Sequence, residues 1–158
     1  MHVRERSELD ETRMTSEARR FAIRFFNRFP ELRGYAAMER IPNGDAWTLV
    51  VAVPAPSGDP LSELLVWVEG GDDPSVEFGK WHTHDSFSDI FDIISGILAD
   101  RYVVCEDISN DKYPSATILD LSVKDALLDQ LTSKHSPGKA WLRSWSGRLD
   151  REVTLENI

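Results

Sequence analysis

The sequence predicts one α+β domain built mainly on antiparallel sheet, with an N-terminal helix, a central helix and a short third helix. Three observations predict it. Apolar residues recur at helical spacing over residues 18–29 and again over 87–98. Short β-branched and aromatic runs, separated by clusters of Gly, Pro, Asn and Asp, fill most of the remainder. The chain has 158 residues, 41% hydrophobic and 28% charged, which is enough for one packed core, and no repeat or linker-like tract divides it.

Residues 1–14 are polar, mixed in charge and without periodicity, which reads as a loose lead-in to a domain over 15–158. Thr15 or Ser16 is the expected N-cap of the first helix, with Glu17 placed to meet the positive end of its dipole. Ala18, Phe21, Ala22, Phe25, Phe26 and Phe29 form its core stripe, and Pro30 and Gly34 mark its end. Arg20, Arg24 and Arg28 fall on the outer face, a pattern typical of a solvated surface. Tyr35–Ile41 and Trp47–Val53 flank Asn43-Gly44-Asp45, where Asn-Gly tolerates the positive φ of a tight hairpin turn. Residues 54–60 are a loop, because their prolines cannot donate to a ladder.

Leu61–Glu69 is a third strand and Ser75–Thr83 a fourth, the four making an antiparallel meander. Ser86 and Asp89 have the spacing of a capping box. They open a helix in which Phe87, Ile90, Phe91, Ile94, Ile97 and Leu98 recur at helical spacing. Arg101–Glu106 and Ser115–Leu121 are strands, and Val123–Leu131 is a short helix broken at Ser136-Pro137-Gly138. Ala140–Ile158 is a last hairpin around Ser146-Gly147.

The formal net charge of −9 is unevenly spread. Residues 59–129 hold sixteen acidic against four basic side chains, a net of −12, whereas residues 1–33 hold eight arginines against six acids. An acidic centre repels nucleic acid and anionic membrane. It speeds association with a basic partner, and it also aids solubility by itself. No apolar run reaches the roughly 20 residues that span a bilayer. The charged N-terminus contains no apolar signal core. The single cysteine, Cys105, ends the run Tyr102-Val103-Val104-Cys105 and is expected to be a buried, inert thiol. These features lead us to expect a cytoplasmic protein.

The most distinctive stretch is Val76-Glu77-Phe78-Gly79-Lys80-Trp81-His82-Thr83-His84-Asp85. On a continuous strand His82 and His84 share a face with Lys80, Phe78 and Val76. Two imidazoles on one face can begin a Zn, Fe or Mn site, with Asp85 as a third ligand or Asp89 or Glu69 in its place. The chain would then be a metal-dependent hydrolase or oxygenase. Lys80 on the same face opposes this, and no further His or Glu recurs at a diagnostic spacing. The pair also resembles the His-x-His of JAMM-type metalloproteases. However, Asp85 stands where that pattern has Pro, and Ile93 and Gly96 stand where it has Ser and Asp.

The competing expectation is structural. Trp81, His82, His84, Ser86 and Asp89 then form one motif, in which the histidines hydrogen-bond at the strand end and fix the following cap. Ser86, Ser88, His84 and Asp85 supply triad residue types without a nucleophile elbow. Glu69–Asp73 is too acidic for a phosphate loop. Asp72/Asp73 and Glu106/Asp107/Asp111 lack a calcium-loop register. No cofactor is expected.

Over Leu64–Cys105, roughly a quarter of the chain, the sequence resembles small bacterial immunity proteins of polymorphic (contact-dependent or Rhs-type) toxin systems. The resemblance lies in a strand of the type Val76–His84, an acid after it, an apolar helix, and a strand such as Tyr102-Val103-Val104. It implies a non-enzymatic protein that neutralises a cognate toxin domain by direct stoichiometric binding, its acids mimicking phosphate at a cationic site. Within that implication the partner is a basic protein domain, and the expected binding residues are Asp72, Asp73, Glu106, Asp107 and Asp111 around an exposed Trp67. The chain would be a monomer or a weak homodimer through edge strands. A generic protein-interaction module is the third alternative, and the sequence does not separate it from the first.

Overall fold

The computed structural model describes residues 4–42, 44–68, 73–109, 115–133 and 138–157. The fold class is α+β, with two sheets and three α-helices among those residues. The first sheet runs in sequence order through β1 (Arg6–Ser7), β2 (Ala36–Arg40), β3 (Trp47–Val53), β4 (Leu64–Trp67), β5 (Ser75–Phe78) and β6 (Trp81–His84). β1 to β4 pair antiparallel, with Met38 opposite Leu49 and both fully buried.

The first three strands of the expected meander are therefore present, and the lead-in extends it. Arg6 and Ser7 pair with Glu39 and Met38, Asp10 caps a 3₁₀ turn at Glu11–Arg13, and Met14 is buried beside Trp47. The expectation of a loose segment fails for a physical reason. A two-residue edge strand is held by backbone pairing, and backbone pairing leaves no hydrophobic periodicity to read.

α1 (Ser16–Arg28) begins where expected. The Thr15 hydroxyl accepts the Ala18 N–H at 3.2 Å, and Ala18, Phe21, Ala22, Phe25 and Phe26 are buried. Its aromatic stripe meets the first turn of α2 (Phe87–Leu98). Phe21 packs edge-on to Phe87 at 5.1 Å between centroids, and Phe29 packs against Phe91 at 6.0 Å. Both are favourable aromatic geometries. No helix among the described residues is long and apolar enough to cross a membrane.

The second sheet has the order β10-β9-β7-β8, from β7 (Tyr102–Asp107), β8 (Ala116–Asp120), β9 (Lys139–Arg143) and β10 (Arg151–Thr154). All its pairings are antiparallel, and β9 and β10 form the expected last hairpin. α3 (Ala126–Thr132) lays Leu127 and Leu131 on a core that includes Val103, Cys105, Leu142 and Val153. Burial pushes the Cys105 thiol up to about 11. The native protein is therefore expected to react with a thiol reagent at neutral pH only as fast as it unfolds. Full reactivity should appear above the urea midpoint, and rapid labelling without denaturant would show the thiol to be accessible.

By compactness the chain groups into two units that interleave along the sequence. One comprises residues 1–53, 64–76 and 83–91, and the other residues 54–63, 77–82 and 92–158. Because the segments alternate, no linker marks a boundary.

Two strand expectations change. Ser75–Thr83 is a hairpin, β5 and β6 reversing at Gly79-Lys80, with Gly79 at φ +60°. That is the first central position of a two-residue turn, where glycine suits a type II′ conformation. Leu61 lies in a 3₁₀ turn, Pro60–Ser62, rather than in a strand. Asp59 accepts the Leu61 N–H at 2.9 Å there and Pro60 opens the turn, both features of a helix start. Asn43, Glu69, Ser136 and Pro137 lie outside the described residues.

Candidate functional site

On β6 His82 and His84 are exposed, while Trp81 and Thr83 are half-buried. The two histidines share a face, but not with Phe78 and Val76, which are buried on β5 across the turn. The helix cap that follows is built without them. Asp85 Oδ1 accepts the Ser86 N–H at 2.8 Å. Ser86 Oγ accepts the Asp89 N–H at 3.4 Å and donates to Asp89 Oδ2 at 2.8 Å. Among the described residues neither imidazole makes a hydrogen bond, so the expected cap-fixing role falls to Asp85. The metal alternative also changes. Among the described residues no three His, Cys, Asp or Glu side chains converge as ligands, and Asp85 does not complete a site with His82 and His84.

The expected partner-binding residues separate. Asp73 is exposed and Trp67 is half-buried on β4, while Asp72 and Asp111 lie outside the described residues. Asp107 is half-buried, and its carboxylate accepts the Ser109 N–H at 2.8 Å and the Ser109 hydroxyl at 2.7 Å. Glu106 is a correction. It is 1% exposed and cannot present its carboxylate to a partner. β7 is an inner strand between β9 and β8, and Glu106 follows three buried residues on it.

What holds this carboxylate is Arg143 on β9, itself 5% exposed. Arg143 Nε donates to Glu106 Oε1, and its Nη1 donates to Asp59 Oδ2 at 2.8 Å and to Ser62 Oγ at 2.7 Å. Ser62 Oγ donates in turn to Asp59 Oδ2 at 3.1 Å. The Leu61 N–H, with the Ser62 hydroxyl and the Arg143 guanidinium adding, holds the Asp59 carboxyl below its ordinary range. Gly79 caps the cluster. A Cβ there would stand 2.7 Å from Arg143 Cδ and Nε and 3.2 Å from Glu106 Oε1.

A cleft of about 290 Å³ opens over this cluster, lined by Asp59, Leu61, Lys80, Glu106, Ile108, Trp141 and Arg143. Its lining combines the apolar Leu61, Ile108 and Trp141 with the charged Asp59, Lys80, Glu106 and Arg143. Its acids already hold Arg143, and a proton transfer at Glu106 would break a buried ion pair. The arrangement is therefore suited to structural support rather than to acid–base chemistry.

No known protein family, curated protein or solved structure matches this chain. Sequence reasoning missed Arg143, Asp59, Ser62 and Gly79. The one local signal was Asp59-Pro60, which marks the start of the 3₁₀ turn. Ser62 joins Asp59 within the same turn, whereas Arg143 and Gly79 reach the cluster only through tertiary packing of segments far apart in the chain.

Proposed function

We propose that this chain is a cytoplasmic immunity protein that neutralises a basic toxin domain by stoichiometric binding through an acidic surface. One observation carries this. In the segment with sixteen acids against four bases, Glu63, Asp125 and Asp129 of the second unit are exposed and enter no ion pair among the described residues. A net charge of one sign destabilises a compact chain through self-repulsion. A cationic partner relieves that repulsion and is drawn in by it. The resemblance over Leu64–Cys105 supplies the partner class, and the same charge disfavours nucleic acid as a ligand.

The test is co-expression with the C-terminal domain of the protein encoded immediately upstream. The expected outcome is rescue of growth and a stable one-to-one complex. Toxicity without rescue or complex would end the proposal for that partner. Association should also slow by about tenfold or more between low and high ionic strength, as steered encounters do. A salt-independent on-rate would remove the acidic surface from the mechanism while leaving binding itself intact.

A further inference from the structure

The second unit carries exposed aliphatic side chains on adjoining elements around α3. α3 has seven residues and turns Leu127 and Leu131 onto the sheet, leaving Leu128 outward. Leu121 and Val123 lie in the turn between β8 and α3, and Leu155 begins a 3₁₀ turn, Leu155–Asn157, that lies against α3. These four side chains are between 41% and 55% exposed. Single exposed aliphatics are ordinary, whereas a group on adjoining elements marks an interaction surface.

The charges among them have one dominant sign. Asp125, Asp129 and Glu156 are exposed and form no ion pair among the described residues, with Lys124 as the cation of the same stretch. Asp120, by contrast, is committed to Arg101 at 3.2 and 3.1 Å. Asp125 occupies the N-cap position of α3, where aspartate ordinarily accepts a helix N–H. It sits at φ +60° with no side-chain cap bond, so its carboxylate is left unengaged.

We propose that this face is where the partner docks, and that it receives a basic amphipathic segment of the toxin domain. Aliphatic side chains of that segment pack on Val123, Leu128 and Leu155, and its Lys or Arg side chains pair with Asp125, Asp129 and Glu156. The assignment rests on the immunity proposal and locates its binding surface. It moves that surface away from Glu106 and Asp107.

Two double variants of the full chain test it. V123D/L128D changes only exposed positions, and an unchanged urea midpoint would verify that the fold is kept. It should weaken the complex with the upstream toxin domain by about a hundredfold or more and abolish rescue, as loss of a central apolar anchor does. D125K/D129K should slow association about tenfold at low salt. Near-native affinity in both variants, with rescue retained, would overturn the docking face while leaving the immunity role standing. If the wild-type chain neither binds nor rescues, the immunity proposal fails for that toxin. The face is then probed directly with a synthetic Leu/Lys amphipathic helix in an NMR titration. Shifts concentrated at residues 120–132 and 154–157, absent with a Leu/Glu analogue, would support it. Shifts elsewhere, or none, would overturn it. A concentration-dependent homodimer broken by V123D/L128D would assign the face to a second copy and also overturn it.

Discussion

Replacing Glu106 by alanine is expected to destabilise the fold by about 1.5–3 kcal/mol, the cost of a lost charge-assisted hydrogen bond at a buried guanidinium that keeps Asp59 as its remaining carboxylate partner. Arg143 is 5% exposed and cannot recover in water what it loses at Nε. Asp59 and Ser62 still hold Nη1 and Asp59 still balances the charge, but Nε is left without its acceptor. The deleted side chain also leaves a void, which adds to the loss. Removing both charges should behave differently. Glu106→Leu combined with Arg143→Met is expected to recover most of the stability, because the desolvation penalty of both ions disappears with them. Urea denaturation at pH 7 measures the single and double variants together. A loss below about 1 kcal/mol for Glu106→Ala would mean that the pair is effectively hydrated.

Gly79→Ala is expected to cost about 2–5 kcal/mol, from two separable causes. A residue with a Cβ at φ +60° bears about 1–2 kcal/mol of backbone strain. Displacing a packed side chain adds about 1–3 kcal/mol. Here the displaced atoms are Arg143 Cδ and Nε at 2.7 Å, and Arg143 is pinned by its bonds to Glu106, Asp59 and Ser62. Gly58 is the control. It has φ +78° and nothing within 4 Å of its built Cβ, so Gly58→Ala should show only the backbone cost. Equal losses at the two positions, measured as shifts in urea midpoint, would show that Arg143 moves aside freely.

Much of the fold is legible along the chain because its determinants are local. The cap of α1, its aromatic stripe and the apolar period of α2 each lie within about four turns of helix, where spacing alone decides which side chains share a face. The β2–β3 and β9–β10 hairpins are marked by their turns. The Ser75–Thr83 segment is a hairpin, and the sequence carries a trace of it: the apolar positions shift from even (Val76, Phe78) to odd (Trp81) across Gly79-Lys80, the phase change that a two-residue reversal produces. Glu106 was misread because a carboxylate after an apolar run looks like the edge of a strand. Its actual neighbour, Arg143, is 37 residues away in sequence.

The candidate site divides in the same way. The exposure of His82 and His84 on a common face follows from strand alternation, and the Ser86–Asp89 cap follows from helix chemistry. The acidic bias of residues 59–129 is a property of composition and needs no structure. By itself, then, the sequence determined the α+β class, the helices and most strands, the buried aromatic stripe, and the sign of the charge presented to any partner. Only the tertiary structure decided that Glu106 belongs to a buried cluster with Arg143, Asp59 and Ser62, that a Cβ at Gly79 would meet Arg143, and that Leu121, Val123, Leu128 and Leu155 are exposed on α3 and the elements adjoining it. Local periodicity reports which way a side chain points. What it meets there is set by strand pairing and packing between residues far apart in the chain, and no spacing rule encodes that.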